Sequence, residues 1–332
     1  MEPYKLFLNE AGRLRSGWRF GIFVIAYAAL LRLLSAIVSL FLWILATLNL
    51  APGYWVQDAF FRVVLIAAGA IGAWICNRWI EGLPWRAFGL TLHRGWFRDL
   101  LIGSAVGGLS LAFAAGITYV SGGLRFIFLT QTQWPTISRS LPLTAAIFVV
   151  AALGEEASFR GYPLQTLTRS GLAWLGVLIT SVPFAAVHLQ NPNVVAGFTF
   201  ANTALAGVWL ALAYLRTRSL WFPLGVHWAW NWVQGSVFGI AVSGIHITDT
   251  PLLRAVDKGP DWLTGGNYGI EGGAACTIAL VISMLFIWWT PLVTSTAELK
   301  KLTSEENPVP ARQNYQILPP AGGPADSSKT AS

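Results

Sequence analysis

Four ionisable residues of the kinds used in catalysis are concentrated in one apolar part of this sequence. Between residues 100 and 240 the only carboxylates are the adjacent Glu155 and Glu156, and the only histidines are His188 and His227. An ionisable side chain inside a bilayer costs at least about 2.5–3.5 kcal/mol, so such residues usually have a function. Carboxylates and imidazoles can move protons to and from water, and together they can also bind a metal ion.

The spacing of the glutamates on a helix gives them different neighbours. Glu156 and Arg160 are four residues apart, so they share a helix face and can form an ion pair. Glu155 points about 100° away and is left without that cation. The pattern favours Glu155 as a general base in a buried site. An ordinary solvated pair at a helix end is the alternative.

Two further pairs of residues have the same spacing. His227 and Asn231, in HWAWN, can present an imidazole and an amide to one cavity, a combination that can stabilise an oxyanion. Polar packing between neighbouring helices would explain this pair equally well. Phe184 and His188 also share a face, after the helix-bending Pro183.

The elements that hold these residues are transmembrane helices. Of 332 residues, 55% are hydrophobic and 11% are charged, whereas a soluble domain carries about 25% charged residues. Disorder of the bulk and a disulfide scaffold are excluded, since aromatic residues are abundant and there are two cysteines, both in apolar runs. We predict an all-α polytopic membrane bundle of about eight helices, near residues 20–48, 58–77, 99–120, 142–167, 172–190, 193–215, 219–241 and 270–294.

Charge between the spans predicts the orientation. The net charge of +7 comes from basic residues that lie singly or in pairs, which argues against nucleic acid as a partner. Most Lys and Arg residues outside the spans fall on the side of the N-terminus, and Arg125, Arg139, Arg254 and Lys258 fall on the other. The positive-inside rule therefore places both termini in the cytoplasm. The first apolar run is too long for a removable signal peptide.

Several other polar segments have simpler predicted roles. Arg32 and Arg62 lie near enough to span ends to extend towards the interface. Residues 79–98 mix Trp, Phe and Arg and are predicted to lie along the membrane surface. From about residue 297 the chain is polar and proline-rich, which predicts disorder.

Three motifs, in order and on separate predicted spans, resemble a known family. They are GEEASFRG, FAAVH and HWAWN, similar to the Glu-Glu-x-x-x-Arg, Phe-x-x-x-His and His-x-x-x-Asn motifs of the CAAX protease and bacteriocin-processing (CPBP) family. That family comprises the type II CAAX prenyl endopeptidases and their bacterial relatives. The resemblance covers roughly residues 140–240.

The resemblance implies an intramembrane endopeptidase acting on membrane-associated or lipidated peptides. Glu155 would activate the attacking water with help from His188, and His227 and Asn231 would stabilise the oxyanion. Glu156, Arg160 and Phe184 would support them. The segments implied are a basic N-terminal segment (1–19), a transmembrane region of about three spans (20–140), a CPBP-like catalytic core of about four spans (141–241), an outside loop with the last span (242–296) and a disordered tail (297–332).

Whether a metal takes part is left open. Glu155, His188 and His227 would suit Zn²⁺, which takes three protein ligands plus water in catalytic sites. The helical HExxH zinc signature is absent from the sequence, and a Glu/His-activated water needs no metal, so we favour a metal-free, metalloprotease-like hydrolase without cofactor.

Two other functions fit the same residues. A non-enzymatic membrane scaffold or bacteriocin immunity protein could retain the motifs for structure, and a cation transporter could use both glutamates and both histidines as its path. The sequence shows no internal repeat of the kind many transporters have. We favour the peptidase, in a bacterial inner membrane.

The predicted positions of the two histidines along their spans do not agree with a shared site. His188 lies about 24 Å along its predicted span and His227 about 12 Å along its own, counted from the same side. Straight helices starting at one depth would keep these two residues apart. Either the span of His188 starts deeper or Pro183 bends it back.

Overall fold

The fold is an α-helical bundle with one small sheet. The structure is a computed structural model and describes residues 4–9, 13–128, 133–195 and 197–304. In that part of the chain the α-helices are α1 (Tyr4–Phe7), α2 (Ser16–Thr47), α3 (Tyr54–Ile75), α4 (Trp96–Val120), α5 (Trp134–Phe159), α6 (Tyr162–Arg169), α7 (Ala173–His188), α8 (Phe198–Thr217), α9 (Trp221–Trp232), α10 (Asp261–Thr264), α11 (Ala274–Trp289) and α12 (Ala297–Leu302). The strands β1 (Leu124–Phe128) and β2 (Leu253–Asp257) pair antiparallel.

The helices are those of an integral membrane protein. Five helical stretches are long and apolar enough to cross a membrane: Ser16–Thr47, Val56–Glu81, Trp96–Val120, Trp134–Arg169 and Phe198–Thr217. The shorter α7 and α11 are also apolar. Large apolar side chains such as Ile25 and Leu109 are about 70% exposed, as expected of surfaces that face lipid. The predicted all-α polytopic bundle is confirmed.

The predicted fourth span, residues 142–167, is wrong as a single helix. α5 begins earlier, at Trp134, and ends at Phe159, and α6 starts separately at Tyr162. A Cβ at Gly161 would lie 2.2 Å from the Ala157 carbonyl oxygen, so only glycine fits this break. Pro163, in the first turn of α6, has no N–H to continue the helix of α5. The boundary predicted at 140/141 falls inside α5.

Three other predicted boundaries need correction. The tight turn predicted at residues 190–192 is a longer connection, since α8 begins at Phe198 after Gly197 with φ +81°. α9 ends at Trp232, and a π-helical turn, Val233–Val237, leads to Gly239 with φ +65°. α11 covers Ala274–Trp289 rather than 270–294. The β1–β2 pair was not predicted at all.

The two ends of the bundle differ in composition. We call the end where α2 and α4 begin and α3 ends the basic end, and the end with β1 and β2 the sheet end. Residues 79–98, which we predicted to lie along the membrane surface, pack against the basic end with Leu83, Phe88 and His93 buried. The Gly89 carbonyl accepts a hydrogen bond of 2.9 Å from the Leu220 amide, so this segment covers the turn between α8 and α9.

The predicted disordered tail begins with ordered structure. Thr296 caps α12 by accepting a hydrogen bond of 3.2 Å from the Leu299 amide. Glu298 forms an exposed ion pair of 2.5 Å with Arg86. Residues 305–332, the rest of that predicted tail, lie outside the described residues.

Glycines allow α4 and α9 to pack backbone against backbone. A Cβ at Gly107 would lie 2.0 Å from the Val226 carbonyl oxygen, and one at Gly103 would lie 2.3 Å from that of Phe222. On α9, a Cβ at Gly225 would lie 2.3 Å from the Leu100 carbonyl oxygen. Small residues at this spacing let membrane helices approach closely. This contact fixes the helix that carries His227.

We expect Gly107→Leu to destabilise the protein strongly, since its side chain must separate α4 from α9. The matched control is Gly116→Leu on the same helix, where a Cβ would meet no atom within 4 Å. Thermal unfolding followed by intrinsic tryptophan fluorescence should give a lower Tm for Gly107→Leu only. Equal Tm values for the two variants would contradict the close contact.

Candidate active site

The two adjacent glutamates lie in the last turn of α5, just before the break at Gly161. The Glu156 side chain is fully buried, whereas that of Glu155 is 28% exposed. Their adjacent positions on the helix turn one carboxylate into the packed interior and the other into a cavity. The predicted difference between the two residues is therefore present in their surroundings.

Glu156 connects an arginine to a histidine from another helix. Its Oε1 lies 3.3 Å from Arg160 Nη1 and 2.8 Å from His227 Nδ1. Arg160 also donates from Nη2 to the Gly207 carbonyl oxygen of α8, at 3.3 Å. This buried pair thereby joins α5, α8 and α9 and orients the His227 ring.

Both histidines turn the same ring nitrogen towards Glu155. A carboxylate and a carbonyl oxygen only accept hydrogen bonds, so Nδ1 carries the proton in both rings: His227 donates to Glu156, and His188 donates to the Phe184 carbonyl at 2.7 Å. The Nε2 atoms lie 3.7 Å (His227) and 3.9 Å (His188) from Glu155 Oε2. That oxygen is buried and has no hydrogen-bond partner among the described residues.

The two histidines reach the same carboxylate oxygen although their positions along the two predicted spans differ. Ser219 and Leu220, just before α9, have no exposed surface, and His93 Nε2 contacts Ser219 Oγ at 3.2 Å. α9 therefore starts beneath other residues of the chain rather than at the surface of the bundle, a possibility that the sequence argument did not consider.

Phe184 forms the aromatic wall behind these residues. It is 3% exposed, and the Arg160 guanidinium lies 4.3 Å from its ring centroid. Its centroid is 4.6 Å from that of His188 and 5.2 Å from that of Phe159. A cation held against an aromatic face is stabilised where water is scarce. Phe184 thus packs between the ion pair and the His188 ring.

A cavity of about 490 Å³ contains all four predicted catalytic residues, Glu155, His188, His227 and Asn231. Its remaining wall is mostly apolar. The Asn231 amide has no hydrogen-bond partner among the described residues, so it is available to a ligand. Such a cavity, with a few converging polar groups, is typical of a small-molecule or peptide site.

The sequence analysis missed several residues of this cavity. Glu271 lies at the sheet end, where its carboxylate accepts hydrogen bonds from the Trp230 indole at 3.2 Å and from the Ser243 amide at 2.7 Å. Tyr27, Arg62 and Asn202 also line the cavity. One feature of the sequence could have identified Glu271. It is a carboxylate within the glycine-rich start of the last predicted span.

Tyr268 lies near Glu271 at the sheet end. Its carbonyl accepts a hydrogen bond of 2.8 Å from the Gly244 amide. Burial, followed by the charge of Glu271, raises the pKa of the Tyr268 hydroxyl to about 12. The tyrosine therefore stays neutral at physiological pH.

The donor atoms around Glu155 have the right chemistry for zinc but not the arrangement of a metal site. One carboxylate oxygen and two imidazole nitrogens, all with free lone pairs, are suitable Zn²⁺ ligands. Among the described residues, however, no group of three or more His, Cys, Asp or Glu side chains has the geometry to hold a metal ion.

Comparison with known proteins agrees with the motifs. Residues 137–233 match the family model described as Rce1-like, type II CAAX prenyl endopeptidase. This part of the chain is therefore similar to the CAAX protease family. The resemblance identified from the three motifs is thus confirmed, and Glu155, His188, His227 and Asn231 all fall inside the matched segment.

The other comparisons add little about the activity. The chain is 39% identical over 84 residues to an uncharacterized 24.3 kDa protein of Escherichia coli. The match covers 24% of this chain and 37% of that protein, so the chain spans well under half of the relative's length. No solved structure matches the chain. The likeness to the type II CAAX prenyl endopeptidases therefore rests on residues 137–233.

Proposed function

We propose that this protein is an intramembrane endopeptidase that hydrolyses membrane-associated or lipidated peptides with a water activated by Glu155. The observation that carries the proposal is the convergence of two histidine Nε2 atoms on one buried oxygen of Glu155. It involves three helices, and it occurs within the segment that matches the protease family.

The distances around Glu155 suit an attacking water. At 3.7 and 3.9 Å the Nε2 atoms are too far from Oε2 for direct hydrogen bonds, so neither ring occupies the carboxylate, whose side chain is 28% exposed to the cavity from which a water would come. Glu155 would take a proton from this water as the oxygen attacks the peptide carbonyl carbon. The His188 Nε2 would accept a second hydrogen bond from it.

The remaining polar groups suit the charge that develops on the carbonyl oxygen. Asn231 lies one turn beyond His227 on α9, and its amide can donate to an oxyanion. His227 can donate from Nε2 only when its ring is doubly protonated, and Glu156, bonded to Nδ1, favours that form. Proton return from Glu155 to the leaving amine would complete the hydrolysis.

Hydroxyl groups in the cavity do not suit covalent catalysis. Ser158 donates to the Gly154 carbonyl at 2.7 Å, Thr203 to that of Thr199 at 2.6 Å, and Ser243 to Glu271 at 2.9 Å. A serine or threonine nucleophile needs a neighbouring base to accept its proton. None of these three is hydrogen-bonded to a histidine, and the carboxylate beside Ser243 is a weak base because it also accepts hydrogen bonds from the Trp230 indole and the Ser243 amide. This arrangement favours direct hydrolysis by water.

The test is cleavage of a panel of fluorogenic lipidated peptides by the purified protein. Products identified by mass spectrometry should show one internal peptide bond broken, with the mass of one water added. The panel includes prenylated Cys-aliphatic-aliphatic-X peptides, since the family description names that substrate class. If the protein cleaves no peptide, the scaffold or immunity function becomes the better proposal.

We expect cleavage to survive removal of metal ions. Dialysis against a chelator should leave kcat within about twofold, because Glu155 and His188 can activate water without a Lewis acid. Metal analysis of the active protein should show less than stoichiometric zinc. Loss of activity that returns on addition of Zn²⁺ would contradict the metal-free mechanism.

We also propose the location and orientation of the protein. The basic end would face the cytoplasm of a bacterial cell, following the distribution of Lys and Arg. Residues 141–241 would form the catalytic core. Cysteine-accessibility labelling of single-cysteine variants at the basic end and the sheet end, in intact cells, would test the orientation.

A further inference from the structure

Arg62 is an arginine within a membrane span that the proposed chemistry does not use. It lies on α3 with 28% of its side chain exposed, and it lines the active-site cavity. Its carbonyl oxygen lies 3.7 Å from the position of a Cβ on Gly154, next to Glu155. Arg62 thus belongs to the part of α3 that packs beside the predicted base.

The surroundings of Arg62 place it where two cavities meet. A second cavity of about 170 Å³ lies between α3 and α5, and its lining includes Asp58 and Ala146. Arg62 and Ile147 line both cavities. A molecule that passes between α3 and α5 towards Glu155 would therefore pass the Arg62 side chain.

Among the described residues, one nitrogen of Arg62 has a hydrogen-bond partner. Nε donates to Asp58 Oδ2 at 2.6 Å, one turn earlier on the same helix. The two terminal nitrogens have no partner among the described residues. Asp58 thus compensates the charge and fixes the guanidinium plane, while the terminal N–H groups remain free for a carboxylate or phosphate.

Resting on the proposed function, we infer that Arg62 binds an anionic group of the substrate, a carboxylate, as the peptide enters beside Glu155. The neighbouring walls are apolar, with Leu31, Leu65 and Ile147. Hydrogen bonds between charged groups are stronger in such surroundings than in water. Arg62 is a binding and specificity residue, and takes no part in proton transfer. A phospholipid headgroup carries similar chemistry and is the competing source of the anion.

The test measures binding, so that it does not depend on cleavage. The ligands are a series of lipidated peptides whose other side chains are neutral. Each peptide carries one carboxylate, placed at a different position from peptide to peptide and in one case at the C-terminus. Each is paired with a peptide that has an uncharged amide in the same place. Their Kd values are measured by fluorescence anisotropy in phosphatidylcholine nanodiscs, in the Glu155→Gln background. We expect a preference for the acid over the amide of about tenfold or more at one position.

That preference should depend on Arg62. Arg62→Gln should reduce the ratio to about one, and Arg62→Lys should keep part of it. Arg32→Gln, which removes an arginine of α2 that lies outside the cavity, is the matched control and should keep the full ratio. Since Arg62→Gln leaves Asp58 without its cation, Asp58→Asn/Arg62→Gln is measured alongside and should show the same loss.

Two binding results would refute Arg62 as the anion site: equal affinity for acid and amide at every position, and a preference that survives Arg62→Gln. If anionic phosphatidylglycerol in the nanodisc abolishes the preference, the headgroup is the ligand and the assignment to the substrate is wrong. If the wild-type protein cleaves the acid and amide peptides equally well, the role of Arg62 in substrate selection is refuted and the proposed peptidase activity is not. If peptide binding depends on Arg62 but no peptide is cleaved, the proposed peptidase activity is refuted and the binding role of Arg62 is not.

Discussion

Replacement of Glu155 by glutamine is expected to lower kcat for peptide cleavage by about 10²–10⁴-fold. Glutamine has nearly the same shape but cannot accept a proton from water. The histidines keep their own partners, Phe184 and Glu156, so the rest of the cavity should be preserved. KM should change little, because the substrate is bound by other parts of the cavity. Steady-state cleavage of the best peptide of the panel measures both constants.

The control for this variant is Glu298→Gln. Glu298 is 49% exposed and pairs with Arg86 at the basic end, so its loss should leave kcat unchanged. Both variants should reach the membrane in wild-type amounts with similar Tm values. A Glu155→Gln protein that is folded and retains more than about a tenth of wild-type kcat would refute Glu155 as the base.

Removal of Glu81 is expected to have the largest effect on stability, about 3–5 kcal/mol. Glu81 is 7% exposed and ends the π-helical turn Cys76–Glu81 that follows α3. Its two oxygens accept hydrogen bonds of 2.8 and 3.0 Å from Arg169 of α6. Thr166 donates to the same carboxylate at 2.7 Å, and Arg19 of α2 lies 3.4 Å from it. Glu81→Ala leaves the buried Arg169 guanidinium without its carboxylate, and the basic end loses the group that joins three helices.

Accumulation in the membrane and Tm in detergent are the measurements for Glu81→Ala. Arg86–Glu298, another Arg–Glu pair between distant parts of the chain, is exposed, and Glu298→Ala should cost less than about 1 kcal/mol. Glu81→Met/Arg169→Leu should recover part of the lost stability, since it removes the buried carboxylate together with the buried arginine that binds it most closely, and leaves Arg19. A Glu81→Ala protein with wild-type Tm would contradict a structural role for this network.

The parts of the site that the sequence predicts lie within single helices. Glu156 and Arg160 pair because four residues bring two side chains to one face, and the same spacing places His188 against the Phe184 carbonyl. Membrane crossing was predictable for a similar reason, since the length and hydropathy of a span are local properties. The family motifs contributed one further piece of information to the prediction, namely their order along the chain.

The features that the sequence did not predict depend on contacts between distant segments. The contact of Glu156 with His227 joins residues 71 positions apart. The break between α5 and α6 requires knowing that the Gly161 backbone lies against Ala157 and Phe88. Arg62 looked like an interfacial arginine because its distance from a span end says nothing about the cavity beside it. Hydrophobic periodicity carries no information of this kind.

The cavity wall extends beyond the segment that matches the family model. That segment, residues 137–233, contains the predicted chemical groups and much of the wall, whereas Tyr27, Leu31, Arg62 and Leu65 come from α2 and α3. Glu271, from the segment before α11, closes the sheet end. A description of this protein by its matched segment alone therefore leaves out part of the surface that a bound molecule would touch.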